Sequence, residues 1–286
     1  MIIRLGPAPL QRPIAWAIAA WRSAKARQAY ALIGGKSPLA EFTGAQAAAL
    51  AQALKPYGDF NVSFGMRYWS PYIGEAVRGM HREGVRKLIA LSLYPHYSIA
   101  TTGSSLHQLN AEASGLGISV GAIEQWCEHP LYIEALTETI KKGIGSFGGG
   151  GVFVLFSAHG LPMKIVEGGD PYVGHIRRTI DAVLRRLPVD YALSYQSRTG
   201  PVKWLAPYTD EMLRELAGRG VKRVLAVPVS FVSDHIETLY EIDILYKRLA
   251  GELGIELRRA PALNCHPMLI EAFKEMVLDK MKELSW

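Results

Sequence analysis

Along this chain, apolar runs bounded by charge alternate with stretches in which apolar residues recur at helical spacing. The sharpest instance is Val224 to Asp243, VLAVPVSFVSDHIETLYEID. Its first part, Val224 to Val232, is rich in β-branched residues and apolar on both faces, the pattern of a strand buried within a parallel sheet. Ser233 and Asp234 interrupt it. From His235 the period becomes helical, with Ile236, Leu239 and Tyr240 on one stripe and Glu237 and Glu241 four apart on another. Asp234 followed by Glu237 is also a capping-box pattern, which serves a helix start without any chemistry.

The same reading predicts helices over Ala45–Leu54, Ile73–Arg82, from Ser105, Leu131–Ile144, from Asp170-Pro171-Tyr172, Pro207–Gly218 and His266–Leu284. Strands are predicted over Phe60–Tyr68, Lys87–Tyr94, Ile118–Ile123, Val152–Phe156 and Asp190–Gln196. Alternation of this kind implies an α/β fold with parallel sheets, and the length favours two lobes. No internal repeat stands out. The boundary falls near Cys127 to Pro130, giving lobes over 1–128 and 129–265, with the final helix, 266–286, packing back on the first.

Parallel strands bring their carboxyl ends to one edge of a sheet, and ligands of open α/β folds bind there. Four strand ends carry chemistry: Tyr94 to Ser98, His159-Gly160, Tyr195 to Arg198 and Ser233 to Glu237. Imidazole and carboxylate in a cleft ringed by Tyr, Trp and Arg suit proton transfer or metal handling on a flat, apolar ligand with acidic groups. His81, His107, His129, His175 and His266 are read as surface or capping residues.

Composition narrows the classes further. Of 286 residues, 49% are hydrophobic and 20% charged, an ordinary globular balance. The net charge of +6 resides in the opening segment, where Arg4, Arg12, Arg22, Lys25, Arg27 and Lys36 precede the first acid, Glu41. Pro13 to Trp21 within it is too short to span a bilayer and suits a membrane surface or an anionic ligand. The segment has features of a secretory leader, but Arg12 directly before so short a core argues against one. Cys127 and Cys265 lie far apart with no CxxC, which excludes a disulfide framework and implies a reducing, cytoplasmic compartment. Gly35-Lys36-Ser37 ends like a phosphate loop, yet Tyr30 stands where that loop needs glycine. No HExxH, GxSxG or dinucleotide fingerprint occurs, and no nucleic-acid partner is expected.

Four long motifs, VLFSAHGLP with GGDPY (from Val154), SYQSRTGPVKWL (Ser194 to Leu205), FVSDHIETLYEID (Phe231 to Asp243) and LYPHYSIATTGSS (Leu93 to Ser105), closely resemble those of ferrochelatases. The resemblance runs from about Ile3 to the end. It implies two Rossmann-like lobes with a porphyrin cleft between them, as in class II chelatases, and insertion of ferrous iron into protoporphyrin IX or coproporphyrin III. It further implies that His159 and Glu237 face each other across the macrocycle, handling metal and pyrrole protons. Asp234, His235 and Glu241 would continue a path for metal or protons. Arg22, Tyr30, Ser37, Arg67, Tyr94 and Trp204 match positions of the porphyrin pocket. Iron is expected as substrate, with no permanently bound cofactor and no [2Fe–2S] cluster. Ferrochelatases usually begin with a further hydrophobic strand that has no counterpart ahead of Ile2 to Pro9 here. A non-catalytic porphyrin-binding protein, or a cobalt or nickel chelatase, are the alternatives.

Overall fold

The computed structural model describes residues 26–286. The basic opening segment, Arg22 and the expected lack of a first strand therefore lie outside the described residues. In chain order the elements are α1 (Leu39–Leu54), α2 (Ile73–Arg82), β1 (Lys87–Leu91), α3 (Ser104–Ser114), β2 (Ser119–Ile123), α4 (Pro130–Gly145), β3 (Phe153–His159), α5 (Met163–Glu167), α6 (Tyr172–Leu184), β4 (Tyr191–Gln196), α7 (Thr209–Gly218), β5 (Arg223–Pro228), α8 (Lys247–Glu252), β6 (Glu256–Arg259) and α9 (Pro267–Glu283). Two π-helical segments, Ile99–Gly103 and Glu237–Tyr246, follow the loops after β1 and β5. The strands form an α/β arrangement of two parallel sheets, β1-β2 and the four-stranded β4-β3-β5-β6, flanked by helices.

Many predicted elements appear within one or two residues of their expected ends; α1 starts at Leu39 rather than Ala45, β1 stops at Leu91 rather than Tyr94, β3 runs on to His159 rather than Phe156, and three others differ for physical reasons. β5 stops at Pro228 rather than Val232, because proline offers no N–H to the ladder and Ser157 of β3 is the last partner in register. Residues 60–65 alternate between half-buried and exposed yet form no ladder; within the predicted strand only Met66 makes a bridge, to Tyr72. The helix after β5 is wound as a π-helix, not an α-helix.

A duplication unnoticed in the linear sequence becomes visible in three dimensions. Pro71-Tyr72 precedes α2 and Pro207-Tyr208 precedes α7; Tyr72 N–H donates to Glu75 at 2.7 Å and Tyr208 N–H to Glu211 at 3.4 Å. Gly84-Val85-Arg86-Lys87 then leads into β1 as Gly220-Val221-Lys222-Arg223 leads into β5, and a π-helical segment follows each strand. Leu116-Gly117-Ile118 precedes β2 as Leu253-Gly254-Ile255 precedes β6. Finally HPLYIEALTE (from His129) opens α4 and HPMLIEAFKE (from His266) opens α9. The correspondence was hidden because few identities survive between conservative apolar replacements.

The terminal helices of the two repeats pack against each other and are exchanged. α4, which follows β2, packs on β5 and α6 of the larger sheet, whereas α9, which follows β6, packs on α1, β1 and β2. Reciprocal contacts mark the pseudo-twofold relation: His129 Nε2 lies 3.6 Å from Glu275, and His266 Nε2 3.4 Å from Glu138. A single large core spans both repeats, joining Leu54, Trp126, Tyr132, Phe156, Phe273 and Val277. Trp126 meets Tyr132 and Phe273 edge-on at 4.9 and 5.4 Å between ring centroids.

Candidate active site

β3 is buried from Phe153 to Ala158, and His159 is its last residue, half-exposed at the carboxyl edge of the sheet. Gly160 follows because there is no room for a side chain: a Cβ there would sit 3.0 Å from Gln196 O and 3.4 Å from the Trp204 ring. Ser230, just past β5, accepts the His159 backbone N–H at 3.1 Å, and the Tyr172 hydroxyl reaches both Ser230 Oγ at 2.6 Å and His159 O at 3.0 Å. The base of the imidazole is thus fixed by two side chains from other elements.

Glu237 opens the π-helix beside it, and its Oε2 lies 2.7 Å from His159 Nδ1. Burial of the imidazole opposes its charging, but the charge and hydrogen bond of Glu237, with Glu241 behind, prevail and raise its pKa above the ordinary 6.5. For Glu237, burial opposes ionisation, yet His159, His235 and the Ser197 hydroxyl hold it below the usual carboxylate range. The pair is therefore a carboxylate bonded to a basic imidazole, with Nδ1–H the donor and the lone pair of Nε2 turned away from Glu237.

His235 is buried behind the pair. Its Nδ1 lies 3.1 Å from Ser233 O, so this nitrogen carries the proton and Nε2 the lone pair. That Nε2 has no hydrogen-bond partner and stands 3.9 Å from Glu237 Oε2. Burial, against the pull of Glu237, lowers the pKa of His235 and keeps it neutral. Phe231 wedges edge-on between the two imidazoles, 5.9 Å from His159 and 4.1 Å from His235.

Glu241, one π-turn on, accepts from Ser197 Oγ at 2.7 Å. Burial first, then repulsion by Glu237, pushes its pKa up to about 7. Ser197 follows β4 with φ of 68°, a left-handed conformation unusual for serine, and Gln196 beside it donates to Glu237 O at 3.1 Å. Among the described residues no group of three or more His, Cys, Asp or Glu converges as a metal cage.

The structure thus brings His159, Glu237, His235 and Glu241 together, with Trp204 against Gly160 and its indole N–H bonded to Thr199 O at 2.9 Å. Tyr94 approaches from the other sheet. Although 39% of its surface is exposed, its phenol is pushed above the ordinary range by desolvation, then by Glu237 and Tyr68. Two expectations need correction. His159 and Glu237 do not face each other across a ring, since atoms 2.7 Å apart leave no space for one. Asp234 does not continue the path, because its oxygens are taken by Arg259 at 2.9 Å, Thr238 at 3.0 Å and Asn264 at 2.9 Å. Nor does Glu237 close a capping box with it; Thr238 Oγ1 accepts the His235 N–H instead.

Tyr30, Ser37 and Arg67 form no hydrogen bond with the pair among the described residues. Tyr30 O accepts from Ile33 and Gly35, Ser37 Oγ accepts the Leu39 N–H at 3.3 Å at the start of α1, and Arg67 donates to Ser104 at 3.2 Å while covering the Tyr68 ring. Ser197, Gln196, Ser230, Tyr172 and Arg259 went unmarked in the sequence. Ser197 and Gln196 lie in a polar strand end that did signal a site and Tyr172 closes the GGDPY motif, whereas nothing local distinguishes Ser230 and Arg259.

The ferrochelatase family model matches residues 1–281. A ferrochelatase of Desulfotalea psychrophila is 47% identical over 97% of this chain and 88% of its own length. Another, of Geobacter metallireducens, is 50% identical over 96% of this chain and 88% of its own. Among solved structures, SirB from Bacillus subtilis with Fe3+ superposes with a TM-score of 0.60 at 14% identity, covering 83% of this chain and 89% of that one, a likeness of fold. With a family model spanning nearly every residue and relatives near half identity, this chain belongs to the ferrochelatase family.

Proposed function

We propose that this chain is an enzyme that inserts ferrous iron into a porphyrin, protoporphyrin IX or coproporphyrin III, in the final stage of haem synthesis. The observation that carries the mechanism is the 2.7 Å contact between His159 Nδ1 and Glu237 Oε2 at a strand end. A porphyrin loses two pyrrole protons as the metal enters. His159 accepts a proton on Nε2, and the imidazolium formed is stabilised by the Glu237 carboxylate on its other nitrogen. Glu241, titrating near neutrality through the Ser197 hydroxyl bond, receives protons from the pair and returns the base to its neutral form. Ferrous iron, the second substrate, meets a carboxylate and the unpartnered lone pair of His235 beyond it, a mixed oxygen and nitrogen donor set suited to that ion.

Tyr94 and Trp204 supply flat apolar walls of a porphyrin pocket that Tyr30, Ser37 and Arg67 also line, with Arg22 near the acidic side chains of the macrocycle. The reaction uses no resident [2Fe–2S] cluster, as the chain has only Cys127 and Cys265. It takes place in the cytoplasm, with the basic opening segment touching the membrane surface; among the described residues no helix is long and apolar enough to cross a membrane. The test is an anaerobic assay of Fe2+ with each porphyrin, following the absorbance change of metallation. Insertion with either is expected. Porphyrin binding without metallation, or a preference for cobalt or nickel, overturns the reading.

A further inference from the structure

The loop that carries Tyr94 to the site belongs to the smaller sheet, but it is held by the larger lobe. Four successive residues after Pro95, 96–99, are each bonded to α6 or to Asp170, two residues ahead of it. His96 Nε2 meets Thr179 Oγ1 at 2.9 Å; since Thr179 gives its own proton to Cys127 O at 2.5 Å, His96 must donate and its tautomer is fixed. Tyr97 N–H donates to His175 Nδ1 at 3.1 Å. Ser98 Oγ and Ile99 N–H both donate to Asp170 Oδ2, at 2.9 and 2.8 Å.

Asp170 spends its other oxygen on α6 itself, accepting the Tyr172 N–H at 3.0 Å. Tyr172 is the residue whose hydroxyl anchors the His159 backbone at 3.0 Å. One carboxylate therefore links two structures that meet the guest from different sides: the Tyr94 loop with the π-helical turn starting at Ile99, and the strand end bearing the base. Ser98 is fully buried and Asp170 half-buried, so the bond between them is partly shielded from water.

We propose that Asp170 is a positioning residue that fixes the Tyr94 loop relative to the His159–Glu237 pair, and so sets how well porphyrin binds, while Tyr172 on the same helix sets the placement of the base. This rests on the reading of the site as a porphyrin cleft. The two residues touch opposite sides of the arrangement, so their loss separates kinetically. Asp170→Ala removes the clasp at Ser98 and Ile99, leaving the loop on its His96 and Tyr97 bonds, and keeps His159 anchored by Tyr172 and Ser230. Tyr172→Phe frees the strand end but leaves the loop clasped.

The experiment measures iron insertion into protoporphyrin IX and into coproporphyrin III under anaerobic conditions, with porphyrin binding in the absence of iron followed by fluorescence quenching. The full chain is used as wild type, Asp170→Ala, Ser98→Ala, the double variant and Tyr172→Phe. Asp170→Ala is expected to raise KM and the porphyrin dissociation constant roughly 10-fold with kcat within about twofold, the scale of a lost charge-assisted hydrogen bond. Tyr172→Phe is expected to lower kcat with KM kept. Ser98→Ala acts in the same direction as Asp170→Ala but more weakly, and the double variant resembles Asp170→Ala alone, because both single changes break one clasp.

A wild type that binds neither porphyrin overturns both the cleft and the clasp. A wild type that binds normally with Asp170→Ala unchanged in binding overturns the clasp alone, whether or not iron is inserted. Additive effects of Ser98→Ala and Asp170→Ala, or a fall in kcat as large as the rise in KM, likewise overturn it. Should Asp170→Ala fail to fold, Ser98→Ala, which removes one uncharged donor, decides the matter by its binding constant.

Discussion

His159 and Glu237 share one proton position, and the charge of each depends on the other. His159→Ala removes the base and Glu237→Gln the group that stabilises its protonated form. Each is expected to slow insertion roughly 10²- to 10⁴-fold, the usual worth of a positioned acid–base group, with porphyrin still bound. Near-normal turnover in either variant removes that residue from the mechanism. The reaction needs His159 neutral, so the rate should rise with pH through a pKa above 6.5. Glu241 contributes to that rise, and Glu241→Gln should move the acid limb of the pH–rate profile to lower pH. The same substitution has a stability signature with a definite sign. A carboxyl raised from 4.5 to about 7 in the folded state contributes stability that is complete below 4.5 and lost as pH rises through about 7. Glu241→Gln should therefore match wild type in urea unfolding at pH 4 and exceed it by roughly 3 kcal/mol at pH 8. The pair itself was legible because a histidine and a glutamate each stand at the end of an apolar run. Ser230 and Tyr172 were not, since their part depends on which strands are neighbours, a property of topology that no local pattern encodes.

At the scale of elements, the π-helix Glu237–Tyr246 owes its placement to a buried ion network at its base. Arg259, on β6, reaches Asp234 at 2.9 Å and Asp243 at 2.8 Å, with its side chain only 10% exposed. Asp234 precedes the π-helix and Asp243 lies within it, so one guanidinium ties both to the neighbouring strand. Arg259→Ala would leave two carboxylates beside an emptied buried site, and a loss of about 3–5 kcal/mol is expected, since breaking such a pair leaves charge uncompensated. Arg259→Ala with Asp234→Asn should recover part of that loss, measured by denaturant unfolding; no recovery would mean that Arg259 acts through packing alone. Elements driven by apolar periodicity were visible in the sequence, β3 and α9 most clearly. Winding was not, because the spacing of Ile236, Leu239 and Tyr240 accommodates an α-turn equally well. Residues 60–65 show the reverse failure. They alternate in burial as a strand should, but a strand exists only with a ladder partner. By the duplication, Ser63-Phe64 aligns with Ser194-Tyr195 of β4, which does have a ladder partner, β3.

For the whole molecule, the exchange of α4 and α9 decides how the chain folds. If each repeat closed its own core, a cut between them would leave two independent domains. Here the apolar face of α4, including Tyr132, Ile133, Leu136 and Ile140, covers the sheet of the second repeat, while Leu269, Phe273 and Val277 of α9 cover the first. Trp126 sits between them and touches both helices. Gly148, Gly149 and Gly150 all adopt positive φ, 71°, 115° and 83°, in an exposed turn between α4 and β3, so a break there disturbs little beyond the bond from Arg223 to Gly149 O. Fragments 1–149 and 150–286 would each carry the helix the other needs and lack its own. Either alone exposes several large apolar side chains, at roughly 1.5–3 kcal/mol apiece, which exceeds what a domain of that size holds in reserve. Expressed singly, each is expected to aggregate or remain unfolded by circular dichroism; expressed together, they should copurify one to one, unfold in a single transition and regain iron insertion. A fragment that folds cooperatively by itself would show that the shared core contributes little, and would assign each half its own stability in place of the exchange.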